Sequence, residues 1–360
     1  MKIEFNDANI SRYIKIVAIM VVIIGLKVFG DILYAGRSLI LPLAFATLIS
    51  FILSPSIDWF VKKKFPEWLA ITIPFVATGV IFFFLGIIVK LNIETFVVEF
   101  PKYEARTTII LKEVLSVYDI EIENFKSSPK EWLDDPRVAQ YLSEFSLSNL
   151  ISGLLSSISN TVSNIFIVLL FLLFIIVGRN QLTSKLPIAF DSVNAARIER
   201  IFENIKKQIQ AYIIAKTLIS LVTAIIFIIV LYSFGIQFAI VWGILTFLLN
   251  FIPNVGSIIA TLLPLSIAVI QYESYGPIIW LGVILFTIQT IMGNFVDPKY
   301  IGKSINLSPI VVLFALIFWG WLWGIAGMFL SVPIMVIIKI ILENIPELRF
   351  ISVLMSEQKS

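Results

Sequence analysis

The chain contains no cysteine and no histidine among its 360 residues. Without cysteine it has no disulfide, no thiolate nucleophile and no thiol-ligated metal. Without histidine it lacks the commonest metal ligand and the usual base at neutral pH, which excludes zinc proteases with two histidine ligands and serine proteases with a histidine base. It also has no Gly-x-x-x-x-Gly-Lys-Ser/Thr loop for nucleotide phosphates. We therefore expect no enzyme activity, no metal and no cofactor.

Charged residues are scarce as well. They make up 14% of the chain, whereas a soluble domain usually has about 25%. Hydrophobic residues make up 59%, and the mean hydropathy is +0.97. The formal net charge is only +3, with no basic block of the kind that binds nucleic acid. This composition predicts a membrane protein whose first partner is the lipid bilayer, with no nucleic-acid partner.

The chain has a series of apolar stretches near the roughly 20 residues that cross a bilayer as a helix. The predicted spans are 13–34, 38–60, 68–91, 150–178, 211–233 and 276–293. The loop "VKKKFPEW" and the loop 179–209 are both rich in lysine and arginine, which is typical of cytoplasmic loops. We therefore predict an all-α, polytopic membrane helix bundle in the cytoplasmic membrane, with both termini in the cytoplasm.

Residues 93–149 differ from the rest, with six Lys/Arg against eleven Asp/Glu. Their apolar residues recur at three- and four-residue spacing, which predicts amphipathic helices in a small extracytoplasmic domain. A second amphipathic stripe, from Ile198 to Ile209, predicts a helix in the cytoplasmic membrane interface. The predicted regions are a three-span region at 1–92, the extracytoplasmic domain at 93–149, a fourth span and basic loop at 150–210, a transport core at 211–345 and a cytoplasmic tail at 346–360.

Two apolar segments, 238–271 and 309–341, are too long for one span and short for two. The first is broken at Pro253 within "NFIPNVGS" and the second near "WGWLWGIAG". Interrupted segments in matching positions of two halves are typical of secondary transporters, where they form re-entrant hairpins at the binding site. Two full crossings per segment fit the same topology, and a plain loop at the membrane surface is the alternative for Pro253.

The polar and helix-breaking residues near the first break, and those that end the 276–293 span, are the candidate solute or ion pathway. They are Asn250, Pro253, Asn254, Gly256, Gln289, Asn294 and Asp297. An acid within a membrane is usually functional, so Asp297 is a candidate for ion coupling, although an Asp-Pro pair also begins ordinary turns. Lys216, one turn into its span, is interpreted as snorkelling to the cytoplasmic interface.

The second hairpin has its own set of small and helix-breaking residues at the tip and beyond it. They are Gly320, Gly324, Gly327 and Pro333. The four-residue spacing of Gly320 and Gly324 allows close helix approach, so packing is favoured over solute contact.

Three stretches resemble the autoinducer-2 exporter family of transporters. They are "FGIQFAIVWGILTFLLNFIPNVGSIIATLLP", "QTIMGNFVDPKYIGKSINLSP" and "WGWLWGIAGMFLSVPIMVIIKIIL", and the resemblance covers roughly residues 200–345. It implies a multi-pass transporter that forms homo-oligomers, with pentamers expected. Family members are associated with export of autoinducer-2, and others with sodium/proton antiport. Ser257 stands where the family commonly has proline, so the resemblance does not fix the substrate.

The sequence thus favours a secondary transporter of the autoinducer-2 exporter type that moves a small polar solute or ion by alternating access. A sodium/proton antiporter of the same family is the alternative. An oligomeric channel and a non-transporting membrane scaffold are the alternatives from other classes.

Overall fold

The computed structural model describes residues 27–117, 164–179, 187–301 and 306–357, with Lys185 and a few positions between 17 and 25. The described chain is helical and contains no strand. The described helices are α1 (Arg37–Lys62), α2 (Glu67–Val117), α3 (Asn164–Val177), α4 (Ser192–Ser233), α5 (Ala239–Leu249), α6 (Val255–Gln271), α7 (Tyr275–Ile291), α8 (Asp297–Ile301), α9 (Pro309–Glu343) and α10 (Arg349–Met355). A π-helical turn, Met292–Val296, joins α7 to α8, and a 3-10 turn, Pro346–Leu348, precedes α10.

Five of the described helices are long and apolar enough to cross a membrane. Large apolar side chains cover their outer surfaces, among them Phe83, Trp280 and Phe314, each about two-thirds exposed. A soluble protein rarely shows so continuous an apolar surface, whereas lipid tails cover it without cost. The expected all-α polytopic membrane fold is confirmed.

Helix α4 packs on most of the other described helices. It runs for 42 residues from Ser192, and the carboxylate of the preceding residue, Asp191, caps it by accepting a hydrogen bond from the backbone N–H of Asn194. The stripe from Ile198 to Ile209, predicted as an interfacial helix, continues into the span without a break, and its place at the membrane interface stays a prediction. Ile209 is fully buried in a hydrophobic cluster with residues of α1 and α9, so tertiary packing holds this stripe.

Helices α5 and α6 form the first hairpin, and residues 250–254 are its tip. Asn254 has a positive φ of 58°, and Gly256 follows where the two arms are closest. A Cβ atom on Gly256 would lie 1.8 Å from the carbonyl oxygen of Leu249, so only glycine fits there.

Helix α9 is the second hairpin, because it folds back on itself at Gly324 (φ 63°, ψ −144°). A Cβ atom on Gly327 would lie 1.9 Å from the carbonyl oxygen of Trp319, although residues eight apart in a straight helix are about 12 Å apart. At the other end, Lys339 Nζ donates to the backbone carbonyl of Asn306 at 2.6 Å. The two ends of α9 therefore lie side by side.

The C-terminal segment, predicted as a cytoplasmic tail at 346–360, packs on the base of this second hairpin. The backbone N–H of Ser308 donates to the carbonyl of Met355 at 2.8 Å, and the N–H of Glu357 donates to Asn306 Oδ1 at 3.2 Å. Met355 is buried in the same hydrophobic cluster as α9. Of the predicted extracytoplasmic domain, residues 93–117 continue helix α2, and 118–149 lie outside the described residues.

Three hydrophobic clusters hold the described helices together. The α4–α9 cluster joins Ile209, Tyr212 and Ile213 to the second hairpin. The α4–α7 cluster joins Phe227 and Leu231 to α5, α6 and α7. The third cluster joins α1, α2 and α3. The first two clusters lie at different levels of α4, so the residues of α4 between these levels separate the two hydrophobic cores.

Candidate transport pathway

A polar stretch interrupts the buried stripe of α4 between its two hydrophobic clusters. Lys216, Ser220 and Thr223 follow one another at helical spacing, and all three are buried. Thr223 satisfies its hydroxyl on the carbonyl of Ile219 within the helix. Lys216 contacts a group outside α4, and the hydroxyl of Ser220 has no hydrogen-bond partner among the described residues. Burying such groups costs free energy, which indicates that they are kept for a purpose other than stability.

Lys216 is paired with Asp297 of α8, 81 residues further along the chain. Lys216 Nζ donates to Asp297 Oδ2 at 2.5 Å, and the two side chains are 10% and 25% exposed. A surface pair of this kind contributes little, but a buried pair becomes strongly destabilising when one partner is removed. The interpretation of Lys216 as a snorkelling side chain is therefore wrong, because its ammonium group lies in the protein against a carboxylate.

Five buried polar atoms on α4 and on three helices that pack against it have no hydrogen-bond partner in the described part of the chain. They are Thr217 Oγ1, Ser220 Oγ, Thr246 Oγ1, Gln289 Nε2 and Asp297 Oδ1. Buried polar atoms in folded proteins are nearly always paired with protein or water. Unpartnered donors and acceptors on helices that pack together are therefore groups that water, an ion or a polar solute can satisfy.

The helices that surround α4 carry their polar residues at a similar level. In α7, Gln289 lies one turn beyond Leu285 of the α4–α7 cluster, on the same face. In α5, a Cβ atom on Gly243 would touch Ile228 of α4, and α5 runs antiparallel to α4 after a short connection. Thr246 is one turn further toward the hairpin tip, so it lies near the level of Ser220. We use the name polar layer for Lys216, Thr217, Ser220, Thr246, Asn250, Gln289 and Asp297.

The tip of the first hairpin lies at the edge of this layer. Asn250 is buried, and Phe251 and Ile252 are almost fully buried after it. Asn254 is exposed and Pro253 is partly exposed. These two residues line a cavity of about 200 Å³ together with Leu307, Pro309, Val312, Leu313 and Leu316 at the start of the second hairpin. The tip residues therefore divide between the polar layer and this cavity.

The remaining candidate residues lie outside both the polar layer and this cavity. Asn294 is in the π-helical turn and is exposed on the outer face, away from the buried Gln289. In the second hairpin, Gly327 and Pro333 are buried within the packed arms, and a Cβ atom on Gly320 would crowd the Met328 side chain at 2.9 Å. Gly324 makes the fold-back itself. Gly320 and Gly327 thus face atoms of their own hairpin, and their packing role stays a prediction.

Sequence reasoning did not single out Thr217, Ser220 or Thr246, and it gave Lys216 the wrong surroundings. A signal was available, because Lys216 is the only charged residue between Lys207 and Glu273. An isolated ionisable residue in a membrane span is a functional candidate by default, and serines or threonines at helical spacing mark the same face. Thr246 lies on another helix, so identifying its hydroxyl as a candidate required knowledge of how α5 packs on α4.

The comparisons with known proteins agree with this architecture. The family described as "AI-2E family transporter" matches residues 13–347. A protein from Haemophilus influenzae whose name describes a candidate transport protein is 30% identical over 95% of this chain and 95% of its own length. The protein named "AI-2 transport protein TqsA" from Escherichia coli K12 is 31% identical over 89% of this chain and 90% of its own. This chain belongs to the AI-2E transporter family.

Proposed function

We propose that the chain is a secondary transporter that carries a small polar solute or ion across the cytoplasmic membrane by alternating access. The observation that supports this most strongly is the polar layer, with five buried unpartnered polar atoms between two hydrophobic clusters. The layer is the solute path, and the clusters on either side are the dry regions that open in turn. Because the sequence has no nucleotide-phosphate loop, the energy comes from a gradient.

The two hairpins are re-entrant in this proposal, and they enter from opposite sides of the membrane. Helix α5 has 11 residues, which is about 16 Å of helix against a hydrocarbon core of about 30 Å. The first arm of α9, from Pro309 to Gly324, is also short of a full crossing. Phe251 at the first tip stacks on Phe329, five residues beyond Gly324, at 4.4 Å between ring centroids. Tips that meet in this way favour sites deep in the membrane.

The solute to test first is autoinducer-2, because a relative over most of the chain is named for its transport. A sodium/proton antiporter is the second candidate function. It is favoured by Asp297, whose Oδ1 is buried and unpartnered while its Oδ2 holds an ammonium group. A carboxylate oxygen of this kind is a ligand for a small hard cation. We propose a homo-oligomer, with the pentamer taken from the family resemblance, and both termini in the cytoplasm.

The test uses purified protein in lipid vesicles, with uptake of autoinducer-2 and of radioactive sodium measured separately under an imposed gradient. We expect saturable uptake of one probe and a loss of at least tenfold in D297N. The matched control is D31N, because Asp31 is an exposed acid at the end of the predicted first span. Unchanged uptake in folded D297N would remove Asp297 from the mechanism, and unitary currents would identify a channel.

A further inference from the structure

A cavity of about 200 Å³ lies beside the first hairpin tip, and none of its lining residues belongs to the polar layer. Pro253 and Asn254 line the cavity, whereas Asn250 belongs to the polar layer. Between them in the chain are Phe251 and Ile252, exposed by only 4% and 3%. The residues that join the polar layer to the cavity lining along the tip are thus its two most buried residues.

Phe251 is held there by a second ring rather than by its own hairpin alone. Its ring stacks on Phe329 with an interplanar angle of 21°, and Phe329 in turn contacts Phe45 of α1 at 5.4 Å between centroids. Phe247, one turn before Phe251, adds an edge contact at 5.6 Å. The row of rings joins both hairpins and α1. Stacked aromatic rings exclude water but separate without breaking a hydrogen bond, which suits a contact that opens and closes.

The cavity has the lining of an access route more than of a binding site. Most of its lining is aliphatic, from Leu307 to Leu316, and the amide of Asn254 is its main side-chain polar group. Such a lining offers a polar solute few hydrogen bonds, so the solute is not retained before it reaches the hydroxyls of the polar layer.

We propose that this cavity is the access vestibule on the side where the second hairpin begins, and that the Phe251–Phe329 stack is the gate between it and the polar layer. The inference rests on the proposed transport function. Hairpin movement separates the rings, and the polar layer is then open to the vestibule. Phe251 and Phe329 are positioning residues, since the polar layer holds the solute.

The test exploits the absence of cysteine, which makes the natural chain a clean background for single-cysteine labelling. S220C reports access to the polar layer, and E357C, at an exposed position near the base of the second hairpin, marks the side from which reagent arrives. The reagent is a membrane-impermeant methanethiosulfonate, added to vesicles of known orientation. We expect F251A and F329A, each combined with S220C, to speed labelling of the new thiol at least tenfold from the side of residue 357.

Two controls separate a gate from a general loosening. F314A removes an equally large ring from an exposed position of the same hairpin, and we expect it to leave the labelling rate within twofold. F329L keeps an apolar side chain but removes the stack, and it serves if the alanine variants fail to fold. Equal labelling with and without the stack overturns the gate while leaving the polar layer accessible. No labelling at position 220 in any variant overturns both the gate and the proposed transport path.

Discussion

At the scale of single residues, the ion pair between the buried Lys216 and the partly buried Asp297 is the most consequential contact. Removing one partner leaves an uncompensated charge in a poorly solvated position, which costs on the order of 3 kcal/mol. We predict that K216M and D297N each lower the thermal unfolding midpoint, and that the double variant recovers most of the loss. We expect transport to stay low in all three variants, because the double variant lacks both the ammonium group and the carboxylate even though its stability is recovered.

The measurement for this pair is a double-mutant cycle of unfolding midpoints in detergent, with uptake in vesicles from the same preparations. K206M is the control, since Lys206 is an exposed cation earlier in the same helix. Additive destabilisation in the double variant would show that the two groups do not depend on each other.

Two glycines of the hairpins make a second residue-scale prediction. G256A places a methyl group 1.8 Å from the Leu249 carbonyl oxygen, and G327A places one 1.9 Å from that of Trp319. The obstacle is backbone in both cases, so the arms must separate, and we expect a loss of folded protein in both variants. G293A, where the added atom meets nothing within 4 Å, is the control. Wild-type melting of G256A would contradict the described approach of the arms.

At the scale of elements, the base of the second hairpin depends on the C-terminal helix. The N–H of Ser308 and the side chain of Asn306 both bind the segment from Met355 to Glu357. We predict that removing residues 349–360 increases hydrogen exchange at residues 306–316 at least tenfold, because these bonds and the buried Met355 are lost. Exchange in α7, which lies outside this cluster, should change little. Unaltered exchange at 306–316 would mean that the segment does not hold the hairpin.

The elements also show how far sequence reasoning reached. Hydropathy and helix breakers located both interrupted segments, since Pro253 and the glycines near 324 act through local backbone geometry. The same reasoning ended the amphipathic stripe of α4 near residue 210 and left the C-terminus as a tail. Those predictions did not include the continuous α4 helix or the packing of the C-terminal segment, and both features have one physical cause. Ile209 and Met355 are held by contacts with α9, and contacts between distant segments leave no local period in the sequence.

At the scale of the whole molecule, the polar layer lowers the stability of the folded chain, and we propose that it is kept because transport requires it. Each unpartnered buried hydroxyl costs on the order of 1 kcal/mol relative to an apolar group of the same shape. S220A and T246V remove two such hydroxyls while nearly keeping volume. We therefore predict that the double variant unfolds at a higher temperature than the natural chain and transports at least tenfold less. T287V is the control, because Thr287 is exposed and its hydroxyl already bonds to Val283.

A gain in stability combined with a loss of transport distinguishes a transport path from an ordinary packing defect. In a packing defect, filling the layer with apolar groups would raise stability and leave uptake unchanged. In a layer whose hydroxyls serve folding through water, the same change would lower both stability and uptake. Only a path for a polar solute couples a gain in stability to a loss of transport, because the groups that the solute requires are those the folded chain leaves unpaired. Unfolding midpoints and vesicle uptake, measured on the natural chain, the double variant and the control, decide among the three outcomes.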